Sequence, residues 1–446
     1  MPDYERPIIY TKPPGPKARA MIAEDNSLLS KSLSRTSELV GTRAHGAFVE
    51  DIDGNVYLDF GSGIAVTVMG HTHPRVVQAI QRQAEALIHV NSCDYYSLPQ
   101  IEYARRIMSL SPGDYAKRIF FSNSGAESVE CGIKAAKYGT TKPGMIAFVG
   151  GFHGRTMGAL ALTSSSAVAR RRYTASLMPD VAFAPYAYCY RCPFNQREDT
   201  CGLECLRYLE EWVLQKVMPV EDCAALIVEP IQGAGGYIVP PQAFLKGLER
   251  ICRERDILFM VDEVQTGFCK TGHLFACDHF GITPDILCLS KAIAAGLPMG
   301  ATITRSSLLE WELNTHENTL GGNPVVVAAA LAVLDVVQEE NLAAAATHIG
   351  SRLYQGLQVL QDRFEGIGDI RQAGAMIGIE FVKDRQTKEP AGETRDRFIR
   401  ECFEHGLLTL GAGPSSVRLA PPLILTDEQI DTGLSIMEEV LSSYSR

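Results

Sequence analysis

The sequence predicts an α/β protein with a large domain on a mostly parallel sheet covered by helices. A smaller α+β domain is built from both ends of the chain. Three observations predict this. Between about residues 117 and 305, short apolar runs alternate with helical periodicity, and nearly continuous apolar strands mark a parallel sheet buried on both faces. After about residue 325 the alternation gives way to an Ala-rich helix and a second mixture of strands and helices. The chain has 446 residues, 46% hydrophobic and 21% charged, enough for a sizeable core and too apolar for global disorder.

The elements follow in order. Residues 1–40 are rich in Pro, Lys and Ser and read as an arm. VEDIDGNVYLDF (49–60) reads as a hairpin turning at Asp53-Gly54. Helical periodicity covers 75–90 and 98–110. Candidate strands then lie at 117–125, 144–151, 181–186, 223–230, 256–263 and 285–291. An Ala-rich helix is expected at 325–338, with further strands in 367–382, 407–411 and 417–425. The expected division is an arm (1–40), the N-terminal part of the small domain (41–75), the large domain (76–325) and the C-terminal small domain (326–446).

Charge narrows the function. A net charge of −10 argues against a nucleic-acid or membrane-surface partner, which needs a basic face. No apolar stretch reaches the roughly 18–20 residues of a spanning helix. The first residues carry Pro and charge where a signal peptide has an apolar core. Twelve Cys scattered through a long chain fit a reducing compartment, so the expectation is a cytoplasmic enzyme.

Four segments carry candidate chemistry. ILFMVDEVQTGF (257–268) ends an apolar strand in Asp262-Glu263, and ligand sites of open α/β sheets lie at such ends. A buried carboxylate needs a partner, and a protonated pyridine nitrogen is one; a helix cap is the plainer explanation. DILCLSKAIAAGLPMGA (285–301) runs a buried strand into Lys291. Desolvation there favours the neutral, nucleophilic amine, unless the ammonium reaches water past the strand end. FFSNSGAESVECGIKAA (120–136) places Ser124, Gly125 and Ala126 before a helix, a cradle for phosphate or ordinary capping. GGFHGRT (150–156) puts Phe152 and His153 after a strand, where an aromatic can stack on a flat ring.

In this order and spacing the four segments resemble the class III aminotransferases, of the ornithine and 4-aminobutyrate type, among the fold-type-I pyridoxal phosphate enzymes. The resemblance covers residues 30–440 and is densest from 120 to 325. It implies a seven-stranded sheet in the large domain and pyridoxal 5′-phosphate held covalently by Lys291. It further implies that Lys291 moves the substrate proton and that Asp262 pairs with the pyridine N–H. Gln265 is implied at the ring's phenolic oxygen, Phe152 on the ring face with His153 beside it, and Ser124, Gly125 and Ala126 at the phosphate. Thr319, in NTLGGNP, matches a residue that reaches the phosphate of the neighbouring subunit. That match implies a homodimer with shared active sites, or a tetramer of such dimers.

The resemblance also implies a substrate site. Arg418, in VRLAPPL, stands where the family binds a substrate carboxylate, a bidentate task suited to guanidinium. Glu229 matches a glutamate that reaches the cofactor region and can mask that arginine. Arg155 matches a residue that holds a distal carboxylate, or is structural, and Ile64 is implied in the pocket wall. The expected reaction moves an amino group from an ω-amino acid (4-aminobutyrate first, then ornithine or lysine) to 2-oxoglutarate in two half-reactions. The alternative is an amino-acid racemase or epimerase of the same family. Some such relatives carry an acid where Ala234 stands, and Ala234 removes that base. A third reading, a non-catalytic cofactor-binding scaffold, is opposed by the intact set of Lys291, Asp262, Gln265 and Thr319.

One cluster lies outside this scheme. Cys189, Cys192, Cys201 and Cys205 are spaced C-x2-C-x8-C-x3-C. They are a candidate structural zinc set, or less readily an iron–sulfur one, with reduced thiols or local disulfides as the alternatives.

Overall fold

The computed structural model describes residues 4–445. They form two compact units. One runs Arg75–Glu339; the other joins the chain up to Pro74 with the chain from Glu340.

The Arg75–Glu339 unit is built on a seven-stranded sheet. In spatial order its strands are Lys117–Ser122, Gly300–Arg305, Ile286–Leu289, Leu258–Asp262, Cys223–Val228, Gly144–Phe148 and Val181–Ala184. All are mutually parallel except Gly300–Arg305, which runs antiparallel to both neighbours. The six strands expected from the sequence are present. The seventh, GATITR, is small-residue and polar and lies outside the apolar runs that mark the other six. Strands such as Cys223–Val228 are buried at every residue, as a sheet covered on both faces requires.

Helices cover the sheet by their apolar stripes. Gln242–Glu254 buries Phe244, Leu245, Leu248, Ile251 and Cys252 at three-to-four-residue spacing. Gly125–Thr140 lays Val129, Ile133 and Ala136 against Met145, Ala225, Met260 and Ile286. Gly132 lets that helix approach closely: a Cβ there would lie 2.4 Å from the Met260 methyl. The expected helices at 75–90, 98–110 and 325–338 appear as Pro74–Ala86, Leu98–Leu110 and Pro324–Glu339.

In the other unit, Phe48–Asp51 and Val56–Asp59 form the expected hairpin. Its turn anchors the N-terminal segment. Asp53 accepts the backbone N–H groups of Lys17 and Ala18 at 3.0 and 2.8 Å, satisfying the open end of helix Pro16–Leu28. A second sheet orders Ile367–Ala373, Met376–Phe381, Ser416–Leu419 and Leu410–Ala412, all antiparallel. The run 367–382 supplies its strands as a hairpin, with Gly374 turning the chain at φ 55°. Two expectations change here, at 417–425 and at 407–411: the first run is strand only as Ser416–Leu419 and stops before Pro421. The run 407–411 divides: Leu407–Leu408 pairs with Val56–Asp59 and Leu410–Ala412 joins the second sheet. Among the described residues no helix is long and apolar enough to cross a membrane.

Candidate active site

The strands of the Arg75–Glu339 unit bring the candidate residues to one edge. Asp262 ends its strand, opposite Cys288 on the next. Lys291 lies two residues beyond the end of that next strand. Glu229 follows Val228, and Phe152 and His153 follow Phe148 within five residues. Ser124 lies two residues past Ser122. Because these strands are parallel, all of these residues emerge at the carboxyl edge.

Asp262 and His153 form the centre. Their side chains are 4% and 1% exposed, and His153 Nδ1 lies 2.7 Å from Asp262 Oδ2. An ionised carboxylate only accepts, so Nδ1 donates and fixes the tautomer. The other oxygen, Oδ1, accepts the Val264 N–H at 3.0 Å. Glu263, its neighbour in the sequence, is structural. It accepts Thr266 Oγ1 at 2.6 Å and the Cys277 N–H at 2.7 Å, and burial pushes its carboxyl up.

Glu229 is also buried. Its oxygens accept the Phe152 and Gly233 N–H groups at 2.8 and 2.9 Å. Burial pushes its carboxyl up, and nearby Asp262 adds to the rise against the opposing pull of His153. Gln265 packs against the same turn, where a Cβ on Gly233 would lie 2.4 Å from its Oε1. That Oε1 is buried with no hydrogen-bond partner.

Ser124 caps helix Gly125–Thr140, its Oγ accepting the Glu127 N–H at 3.2 Å. The turn at Gly125 lies against Val264 and Ser290, which would meet a Cβ there at 2.9 and 3.4 Å. Gly300 on the antiparallel strand faces Ser122 and would place a Cβ 2.3 Å from the Ser124 carbonyl. Ala126 abuts Gly154 of the FHGRT segment. Thus the Ser124–Ala126 turn, the Asp262 segment, the Lys291 segment and the Phe152 loop meet. Lys291 holds a left-handed backbone, φ 47°, a sparsely populated conformation for a residue with a Cβ.

The Phe152 loop has its own support, which the sequence did not reveal. Glu130 Oε1 accepts Thr156 Oγ1 at 2.6 Å and the Gly158 and Ala159 N–H groups at 2.9 and 3.1 Å. Arg155 is exposed, with its guanidinium carbon 4.5 Å from the centroid of the Phe152 ring. Ala234 is half-buried. Thr319 is exposed on a loop tied to the Arg75–Glu339 unit. Asn318 Nδ2 donates to the Phe121 carbonyl at 2.8 Å, and Gln100 Nε2 donates to the Gly322 carbonyl at 2.7 Å.

Two candidates belong to the other unit. Arg418 is half-buried on Ser416–Leu419, opposite Gly378 and Leu410. Ile64 is 39% exposed at φ 69°, a genuine outlier for a β-branched residue. With Gly61, His71 and Leu410 it lines a cavity of about 830 Å³.

The structure gives no support to a metal site at the cysteine cluster. All four thiols are free and half-buried. Among the described residues no group of three or more His, Cys, Asp or Glu side chains is placed to hold a metal ion. Burial, with the neighbouring cysteines of the cluster adding to it, pushes the thiols of Cys189 and Cys205 up to about 12 and about 11.

Comparison with known proteins agrees with this fold. The model of the family Aminotransferase class-III matches residues 30–441. The chain is 37% identical to a 4-aminobutyrate aminotransferase of Mycobacterium leprae, over 98% of each protein. It is 36% identical to an alanine/serine racemase of Pyrococcus horikoshii, over 98% of this chain and 93% of that one. Its fold matches the crystal structure of a PLP-bound amine transaminase from an uncultivated Pseudomonas species. That match has a TM-score of 0.86 at 30% identity, over 93% of this chain and 98% of the other. The chain belongs to the class III aminotransferases and has the fold-type-I architecture of pyridoxal-phosphate-dependent transferases.

Proposed function

We propose that this protein is a pyridoxal-phosphate-dependent aminotransferase that moves the amino group of an ω-amino acid, 4-aminobutyrate first, to 2-oxoglutarate. Ornithine and lysine are the next donors to consider. The observation that carries the reading is the buried His153–Asp262 pair at the strand edge that also presents Lys291.

The residues fit the cofactor. Asp262 is a buried carboxylate held in one orientation by His153 and the Val264 amide, suited to keep a pyridine nitrogen protonated. The orphaned Gln265 amide supplies a polar group for the phenolic oxygen. Ser124, Gly125 and Ala126, at the start of a 16-residue helix, suit the phosphate. Phe152 would pack on the ring. Pyridoxal phosphate, when bound, supplies an electron sink for the pair left as the substrate Cα loses its proton. Lys291 holds the cofactor and then carries that proton as a free amine. Arg418 takes a substrate carboxylate, with Arg155 and Ile64 contributing to donor choice.

We also propose a homodimer. Thr319 is exposed on a loop bonded through Asn318 and Gly322 to Cys93 and Gln100, and the two segments also carry Tyr95, Tyr96, Leu98, Ile101 and Leu320, which are 47–98% exposed. An apolar patch of this kind marks a contact surface. The dispersed free thiols support a cytoplasmic setting.

The test is a reaction panel with purified holoenzyme. It offers 4-aminobutyrate, ornithine, lysine and common L-amino acids, each with and without 2-oxoglutarate, and reads glutamate and chirality together. Glutamate formed only with the acceptor supports the aminotransferase and names the donor. D-amino acid formed without acceptor replaces it with the second reading, a racemase, which the 36% identity to the alanine/serine racemase favours.

A further inference from the structure

The second sheet carries a charged array of which the scheme above uses only Arg418. Directly opposed residues of antiparallel strands share a face, as do residues two apart. Arg371 opposes Gly378, which opposes Arg418. One step along, Asp369 opposes Glu380, which opposes Ser416. Two arginines and two acids therefore share one face of the sheet, with Gly378 between the arginines.

The acids are not equally placed. The Glu380 side chain is fully buried. Its Oε1 accepts Ser415 Oγ at 2.7 Å, and its Oε2 accepts Ser416 Oγ at 2.7 Å and Arg371 Nη2 at 2.9 Å. Arg371, with an 8% exposed side chain, also donates to Asp369 at 2.9 Å and to Ser416 Oγ at 2.8 Å. Glu380 is the diagonal neighbour of Arg418, about 7–8 Å away between backbone positions and within reach of a guanidinium. A buried carboxylate deprived of one cation turns to the next.

We propose that Arg371 is a positioning residue: it holds Glu380 within this network so that Glu380 does not compete with a substrate carboxylate for Arg418. Ser415 and Ser416 complete the hold and fix the strand from which Arg418 projects. The inference rests on the reading of Arg418 as the carboxylate-binding residue. It differs from masking by Glu229, because Glu380 lies on the arginine's own sheet and is held there by Arg371, Ser415 and Ser416.

The experiment measures the dissociation constant of glutarate, an unreactive dicarboxylate, from the holoenzyme through the cofactor's absorbance. Pyridoxal phosphate affinity and melting temperature are measured beside it. Arg371→Met is expected to weaken glutarate roughly tenfold, and Arg371→Met with Glu380→Met to restore it to within about twofold of the parent. A merely structural network predicts the opposite: the double variant is no better than the single, and cofactor affinity falls with glutarate affinity. Either result overturns the proposal. Should Arg371→Met not fold, Arg371→Lys keeps the charge and loses the fork, and is expected to weaken glutarate by a smaller factor; unchanged binding overturns the proposal. Arg418→Ala separates the two ideas. If it leaves glutarate binding unchanged, the reading of Arg418 fails. If it weakens binding while Arg371→Met does not, only the positioning role fails.

Discussion

The strand edge of the central sheet and the charged face of the second sheet both bury ionisable groups, and they satisfy them differently. At the edge, backbone amides do most of the work: Glu229 accepts two and Asp262 accepts one beside His153. On the second sheet, side chains hold side chains, with Arg371 shared between two acids and a serine. Backbone donors neither titrate nor move independently of the fold, so an edge built on them keeps its geometry while a ligand's charge changes. A side-chain network is adjustable by a single substitution. The first arrangement suits groups that act on a reacting ring, and the second suits a group that selects a substrate.

The largest expected effect tests the edge. Lys291→Ala should lower turnover on the order of 10³–10⁴-fold, the worth of a positioned proton carrier, while circular dichroism and melting show an intact fold. Asp262→Asn comes next. It should cost at least roughly a hundredfold in turnover and weaken cofactor binding, because an amide cannot compensate a buried cation. Equilibrium titration with pyridoxal phosphate checks the second part. Arg418→Ala should raise the Michaelis constant for 2-oxoglutarate by about 10–100-fold, the loss of a charge-assisted hydrogen-bonded pair, with cofactor affinity unchanged. An equal loss of cofactor affinity would mean that the two regions are not separable.

Smaller effects sharpen the contrast. Glu130→Ala removes a cap from the loop carrying Phe152 and should lower stability by about 1 kcal/mol, read from urea unfolding. Glu263→Gln addresses pH. Burial raises the Glu263 carboxyl above its ordinary 4.5 in the folded state, so the folded protein binds the proton more tightly than the unfolded chain. Its contribution to stability therefore falls as pH rises from about 4.5 through the raised value. The variant lacks that titration, so the difference in stability should shift in its favour as pH rises across that window.

Much of the central sheet was legible because its strands are short, apolar and separated by helical periodicity. Gly300–Arg305 was not, because Gly, Ala and Thr give no apolar alternation and the strand is recognisable only by its neighbours. The Pro421-Pro422 pair obscured the end of the last strand, which stops at Leu419. Lys291 and Asp262 could be singled out by their place at strand ends. The link from Asp262 to His153 could not, since 109 residues separate them and no local spacing encodes the contact. Lys270, fully buried, and the Arg371–Glu380 pair were hidden for a related reason. Sequence patterning treats charge as a sign of exposure, and only the fold shows which charges are paired inside. The four cysteines had suggestive spacing and lie near enough to raise one another's thiols, but among the described residues they make no group placed to hold a metal ion.

The antiparallel strand Gly300–Arg305 lies between Lys117–Ser122 and Ile286–Leu289 and bonds to both. It is therefore the mechanical tie between the turn at Ser124 and the segment that presents Lys291. Thermal inactivation should then proceed in one step: the event that loosens this strand releases the anion cradle and the reactive amine together. Slow amide exchange along Gly300–Arg305 would accordingly set the shelf life of the active holoenzyme.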